Sequence, residues 1–288
     1  MTQTGSFKTV PVLKIIFILV LLISAALCEQ ATWDCPVCGK TGNTGEYCGG
    51  CANPMPVQEK TAEPTTKEKL KQFRTIGNIV TFGNYPQTAD STDNTPIEWQ
   101  ILDVQGDWAL LISRYGLDAM PYSTDASHYT WETCTLRNWL NNNFYYGAFS
   151  AEEQAVIRTN EVDNGVSQGF SYKYGTDLID GNKTVDKIFL FSYEEARQYF
   201  TVRDMNFNIK SRVAPTAYAL KNGAGTISTI KTVDDMAAGW WWLRSPGNSE
   251  KRAARIDFSG AINSYSVSST TGLVRPALWL YLKGYILK

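Results

Sequence analysis

Cys35, Cys38, Cys48 and Cys51 stand in WDCPVCGKTGNTGEYCGGC as CxxC, nine residues, then CxxC. No other feature of the chain restricts its fold as tightly. A CxxC turn sets two thiolates on one side of a tight knuckle, and two facing knuckles complete a tetrahedron of sulfur around a metal ion. Gly39, Gly49 and Gly50 let the turns fold back on the sulfurs. Four cysteines leave no open coordination position, so the spacing predicts a structural rather than a catalytic zinc ion. A unit this short has almost no apolar core, and the metal would supply its folding free energy. Two disulfides are the alternative if the chain is exported.

Residues 31–54 resemble zinc ribbons of the CPxCG type. Ahead of them, MTQTGSFKTVPVLKIIFILVLLISAALCEQ places Lys8 and Lys14 before an uncharged apolar run, Ile15 to Cys28. That run is short of the roughly 18 apolar residues that span a bilayer. With Ser24, Ala25 and Ala26 behind it, it reads as a signal peptide over 1–30, an uncleaved membrane anchor being the competitor. AALC resembles a bacterial lipoprotein box in which Cys28 would carry the lipid. It departs from that box at Leu27, where a small residue is usual, so ordinary cleavage nearby stays open. Residues 55–74 are rich in Pro, Thr, Lys and Glu and read as a linker with a short helical end at Lys67–Phe73.

The main domain is expected over 75–288. IVTFGNYPQ, IEWQILDV and WALLIS are strand-like, the last two forming a hairpin about Gln105-Gly106-Asp107. In TWETCTLRNWLNNNFYYGAF the period changes, with Leu136, Trp139, Leu140 and Phe144 at helical spacing. Ser150–Glu153 and Ser192–Glu195 have the form of capping boxes, opening helices through Ile157 and Phe200. DKIFLF reads as a strand, and Asn160–Gly181 as a long polar loop. GWWWLRS, ARIDF, AINSYSV and VRPALWLYL are terminal strands, ARIDF and AINSYSV pairing about Ser259-Gly260. Pro276 places the start of the last one at an edge or bulge. Antiparallel strands at both ends with short helices between them give an α+β domain.

A formal net charge of -1 with 19% charged residues offers no electrostatic basis for binding nucleic acid. His128 is the single histidine, which leaves little scope for histidine chemistry. No motif surrounds His128 and Cys134, and Cys134 reads as a core thiol. Glu152-Glu153 and Asp234-Asp235 look like solvated surface charge. The chain is therefore expected not to be an enzyme, although a glycan hydrolase with carboxylates from distant positions is an alternative. A purely structural envelope module is another.

FGNYPQ (Phe82–Gln87), PIEWQIL, TLRNWLN (Thr135–Asn141), FSAEEQ, WWLRSPG and VRPALWL together resemble a widespread bacterial domain family of unassigned function. That family is often found on exported proteins, sometimes behind a zinc ribbon. The resemblance covers nearly all of Phe82–Leu280 and implies a C-type-lectin-like fold, related to formylglycine-generating enzymes. Those enzymes bind copper through paired cysteines. Outside the ribbon only Cys28 and Cys134 are present, so their activity is not implied. Other relatives of the fold are the variable proteins of diversity-generating retroelements. Every residue from Asn263 to Thr271 belongs to the set that randomised Asn codons can encode, as a plain Ser/Thr-rich loop also would.

On this reading Trp241, Arg244, Arg275 and Trp279 are scaffold. Asn263, Tyr265, Ser266, Ser268 and Thr270 form a displayed surface, since Tyr gives contact area at low entropic cost and Ser adapts its hydrogen bonds. The expected partner is a protein or glycan at the cell surface, with membrane contact through the N-terminal segment and no nucleic acid.

Overall fold

The computed structural model describes residues 32–44, 46–54, 64–90, 92–125, 130–165, 181–202, 207–249 and 251–286. The expected export segment 1–30 with Cys28, His128, and residues 166–180 of the expected loop lie outside them. Among the described residues no helix is long and apolar enough to cross a membrane. The chain divides into two compact units, Met1–Ala62 and Glu63–Lys288.

The first unit is described over the cysteine ribbon. Short antiparallel bridges join Trp33 to Asn43 and Tyr47 to Pro54, one across each CxxC knuckle.

The second unit opens with helix α1, Thr66–Arg74, whose start is fixed by a capping box between Thr65 and Glu68. This helix falls in the stretch read from sequence as linker. Its Phe73 is buried and its Leu70 packs on the core, so the folded unit includes it.

The strands are β1 (Ile79–Tyr85), β2 (Thr95–Gln105), β3 (Trp108–Ser113), β4 (Asp118–Ala119), β5 (Asn160–Val162), β6 (Thr184–Asp186), β7 (Thr226–Lys231), β8 (Ala237–Gly239), β9 (Trp241–Pro246), β10 (Arg252–Ile256), β11 (Ile262–Ser266), β12 (Leu273–Val274) and β13 (Ala277–Tyr281). One sheet has the order β1-β2-β3-β13, and a second the order β11-β10-β9-β12-β4. β5–β6 and β7–β8 are separate two-stranded pairs. Among these strands the pairings are antiparallel except β12 with β9, which meet in parallel at Leu273 and Trp241.

Local chemistry explains these elements. β2 and β3 turn back through Gly106, whose φ of 60° suits glycine. The β10–β11 turn needs Gly260, with a φ of 86° and a site where a Cβ would come within 1.9 Å of the Asn208 carbonyl oxygen. The helical period found in the sequence appears as α2 (Thr135–Trp139), a wider π turn over Leu140–Phe144, and α3 (Tyr145–Ala148). Both expected capping boxes are formed, opening α4 (Ala151–Gln154) and α5 (Tyr193–Phe200). α4 stops short of Ile157, which instead bridges Leu280.

Three expectations change. VRPALWLYL is not one strand: β12 belongs to the second sheet and β13 to the first, with Arg275 and Pro276 at the crossing. Proline cannot donate to a ladder, so the crossing falls where no donor is needed. Asn160–Val162 pairs with Thr184–Asp186 and is not loop. DKIFLF is not a strand beyond Thr184–Asp186. Asn141 Oδ1 accepts from Lys187 and Ile188 N–H, at 2.8 and 3.2 Å, and its Nδ2 donates to the Ile188 carbonyl at 2.9 Å. Phe189 exchanges two backbone bonds with Ala277. All of the segment but half-buried Lys187 is buried, and these bonds satisfy part of its polar backbone without a ladder.

Candidate functional site

The two cysteine knuckles are built alike. Cys35 N–H donates to the Lys40 carbonyl and its own carbonyl accepts from Gly39 N–H. Cys48 N–H donates to the Asn53 carbonyl and its carbonyl accepts from Ala52 N–H. The residue after each CxxC takes the left-handed conformation, Gly39 at φ 72° and Ala52 at φ 56°. Asn43 ties the knuckles together: its Nδ2 donates to the Trp33 and Lys40 carbonyls, and its Oδ1 accepts from Gly49 N–H at 3.1 Å. Sequence reasoning missed Asn43; its signal was a short polar side chain midway between two cysteine turns.

The four Sγ atoms lie within 4.8 Å of one another and could hold a metal ion. Cys35 and Cys51 sulfurs are 3.6 Å apart and those of Cys38 and Cys48 3.5 Å. These distances are too long for a disulfide. They are close to the ~3.8 Å edge of a tetrahedron with metal–sulfur bonds near 2.3 Å. Asn53 Nδ2 donates to Cys51 Sγ at 3.1 Å and brings that thiol down to about 6. Gly50 N–H, 3.3 Å from Cys48 Sγ, lowers that thiol too. Lys40 N–H pulls Cys38 the same way, yet the neighbouring Cys48 and Cys51 outweigh it and push Cys38 up to about 12. Four sulfurs this close resist full ionisation until a cation supplies the opposite charge. The donor set therefore fits a thiophilic metal ion.

In the second unit the Arg-bearing strands lock the core. Arg244 is 2% exposed on β9. It forms an ion pair with Glu195, while its Nε donates to Asn164 Oδ1 at 3.1 Å and its Nη atoms to the Leu190 and Asp163 carbonyls. Glu195 is also the reciprocal partner in the α5 capping box. Trp241, fully buried, donates to the Ser211 carbonyl at 2.9 Å. Trp279 is only half-buried on β13. A domain family described as a domain of unknown function, DUF6273, matches residues 106–282. The chain belongs to that family. TLRNWLN, FSAEEQ, WWLRSPG and VRPALWL fall within the matched stretch, and FGNYPQ and PIEWQIL precede it. No curated protein and no solved structure matches the chain.

Within the DUF6273 domain, β11 is an edge strand. Tyr265, Ser266, Ser268 and Thr270 are exposed on it and on the turn that follows. Tyr265 packs edge-on against Trp240, ring centres 5.3 Å apart, and Arg255 lies 4.1 Å from the Tyr265 ring centre and 4.7 Å from that of Trp240. Asn263 is half-buried and engaged, accepting from Arg255 Nε at 2.7 Å and donating to Asp257 Oδ2 at 2.8 Å. Ser264 and Val267, inside the same tract, face inward. Arg255 and Trp240 were not singled out in the sequence, because their place under Tyr265 follows from sheet register alone.

Cys134 is buried, its thiol pushed up to about 12 by desolvation, and it caps α2 by accepting from Arg137 N–H. A thiol so placed is a poor nucleophile. Two of the carboxylates read as free surface charge are engaged. Glu153 accepts from Ser150 and Gly83 N–H, and Asp234 pairs with Arg114 at 3.1 Å. In Glu153 the cause is its place as third residue of the capping box.

Proposed function

We propose that this DUF6273 protein is an exported, cell-surface ligand-binding protein with a C-type-lectin-like main domain behind a structural zinc ribbon. The observation that carries the reading is the exposed run Tyr265, Ser266, Ser268 and Thr270, backed by the Trp240–Arg255 stack. A held aromatic beside adaptable hydroxyls suits recognition of a protein or glycan. Asn263 takes part by fixing Arg255. The wild-type chain is expected to bind members of a glycan or surface-protein array without turning them over. Replacing Tyr265, Ser266, Ser268 and Thr270 together by Ala should abolish that binding. Unchanged affinity in this variant, or cleavage of the bound glycan, would defeat the reading. Tyr265→Ala alone should alter stability by only about 0.5–1 kcal/mol, because the ring is partly solvated.

Zinc, held by Cys35, Cys38, Cys48 and Cys51, would cross-link the two knuckles and leave no position for substrate. Metal analysis should find one zinc per chain, with these thiols unreactive until it is chelated. Two intact disulfides and no zinc would overturn the assignment. Export by residues 1–30 rests on Lys8, Lys14 and the apolar run after them. Cell fractionation with and without residues 1–27 tests it, and equal cytoplasmic recovery of both forms would refute it.

A further inference from the structure

A cavity of about 150 Å³ opens beside the crossing from β12 to β13. Arg114, Lys210, Arg212 and Arg275 line it, with Asp234 the single carboxylate residue among the lining side chains. Its cations differ in what they already hold. Arg114 is committed to Glu98 at 2.8 Å and to Asp234 at 3.1 Å. Arg212 donates to the Ser259 and Lys231 carbonyls, which carry no net charge. Lys210 is exposed.

Arg275 is 3% exposed. Its Nε donates to the Ser113 carbonyl at 3.0 Å, and its guanidinium carbon lies 5.0 Å from the ring centres of both Phe200 and Trp241. Its Nη1 is buried with no acceptor among the described residues. Aromatic faces offset part of the desolvation of a cation but do not accept a guanidinium N–H as an anion does. A buried charged donor left unpaired is costly and uncommon, so its persistence requires a reason. Arg244 shows the contrast, since its equally buried guanidinium meets Glu195. Burial brings Arg275 down to about 9, the same missing counter-charge expressed as acidity.

We propose that this cavity binds a small carboxylate, its carboxyl group paired with Arg275 in the field of Lys210 and Arg212 and its short carbon chain against Ile79, Val213 and Val233. The cavity is well below the ~300–1,000 Å³ of pockets for drug-sized ligands, so the ligand has only a few carbons. Ile79, Val213 and Val233 in the lining give a short carbon chain apolar contact, which favours a carboxylate over inorganic phosphate. This site is separate from the polar face and does not depend on its role.

The test is calorimetric titration of the full chain, at low salt, with acetate, propionate, butyrate and inorganic phosphate. Propionate or butyrate should bind saturably at one site per chain. Arg275→Met should weaken that binding at least about 10-fold, the scale of one hydrogen bond to a charged group. Tyr265→Ala should leave it unchanged, which separates this site from the displayed face. If Arg275→Met fails to fold, Lys210→Ala with Arg212→Gln serves in its place and should weaken binding about 3-fold or more. Absence of saturable carboxylate binding, binding of phosphate alone, or equal affinity in the variants would overturn the proposal.

Discussion

Arg244 and the exposed pair Lys183–Glu161 show how environment decides what an ion pair contributes. Lys183 and Glu161 side chains are both 63% exposed, and a pair so solvated adds little to stability. Arg244 is desolvated, and removing it would strand Asn164 Oδ1, two carbonyl oxygens and the inner face of Glu195. Arg244→Met should therefore cost about 3–5 kcal/mol, a large share of the ~5–15 kcal/mol available to a domain. Lys183→Met should be nearly neutral. Chemical denaturation of the two variants checks the contrast. That Arg244 and Arg275 would turn inward onto carboxylates or carbonyls was legible in the sequence, because Arg beside Trp and Pro in an apolar run has few reasons to face water. What separates Arg244 from Arg275 was not legible: Glu195 and Asn164 reach Arg244 from distant parts of the chain.

At the scale of elements, signals confined to four or five residues transferred best. The Ser150 and Ser192 capping boxes, the Gly106 turn and the paired CxxC knuckles are local chemistry, and the structure forms each of them. DKIFLF and VRPALWLYL misled because apolar runs report burial rather than pairing. In the first, Asn141 takes the place of a strand partner, and in the second Pro276 divides two sheets. The ribbon offers its own test at this scale. Its knuckles share a backbone pattern, and Ala52 stands in one where Gly39 stands in the other, both left-handed. That conformation costs a non-glycine residue about 1–2 kcal/mol, while glycine loses about 0.5–1 kcal/mol more on ordering. The first effect wins. Ala52→Gly should tighten apparent metal affinity about twofold, since metal binding and folding are one equilibrium in so small a unit. Competition against a chelator measures it.

At the scale of the molecule, the main core runs from Phe73 to Leu282, within the second of the two compact units. A chain beginning at Glu63 should therefore fold and melt like the second unit of the full protein. Beginning instead at Thr75 deletes α1 and uncovers the surface under Phe73 and Leu70. That shorter chain should lose about 2–4 kcal/mol on the apolar area of those two side chains, visible as a lower midpoint in thermal unfolding. Cys35→Ser in the full chain should leave the thermal midpoint of the second unit unchanged.

The crossing at Arg275–Pro276 also bears on how the chain can be made. β13 closes the first sheet against β3, and β12 joins β4 and β9 in the second, so neither sheet is complete before residue 273. At about 5–20 residues per second, a ribosome needs roughly 10–30 s between finishing β3 and finishing β13. Through that interval β3 has one edge unpaired, an invitation to other strands that a nascent chain leaves to chaperones. The order of its strands makes this a domain that completes its fold only once its last strand has left the ribosome.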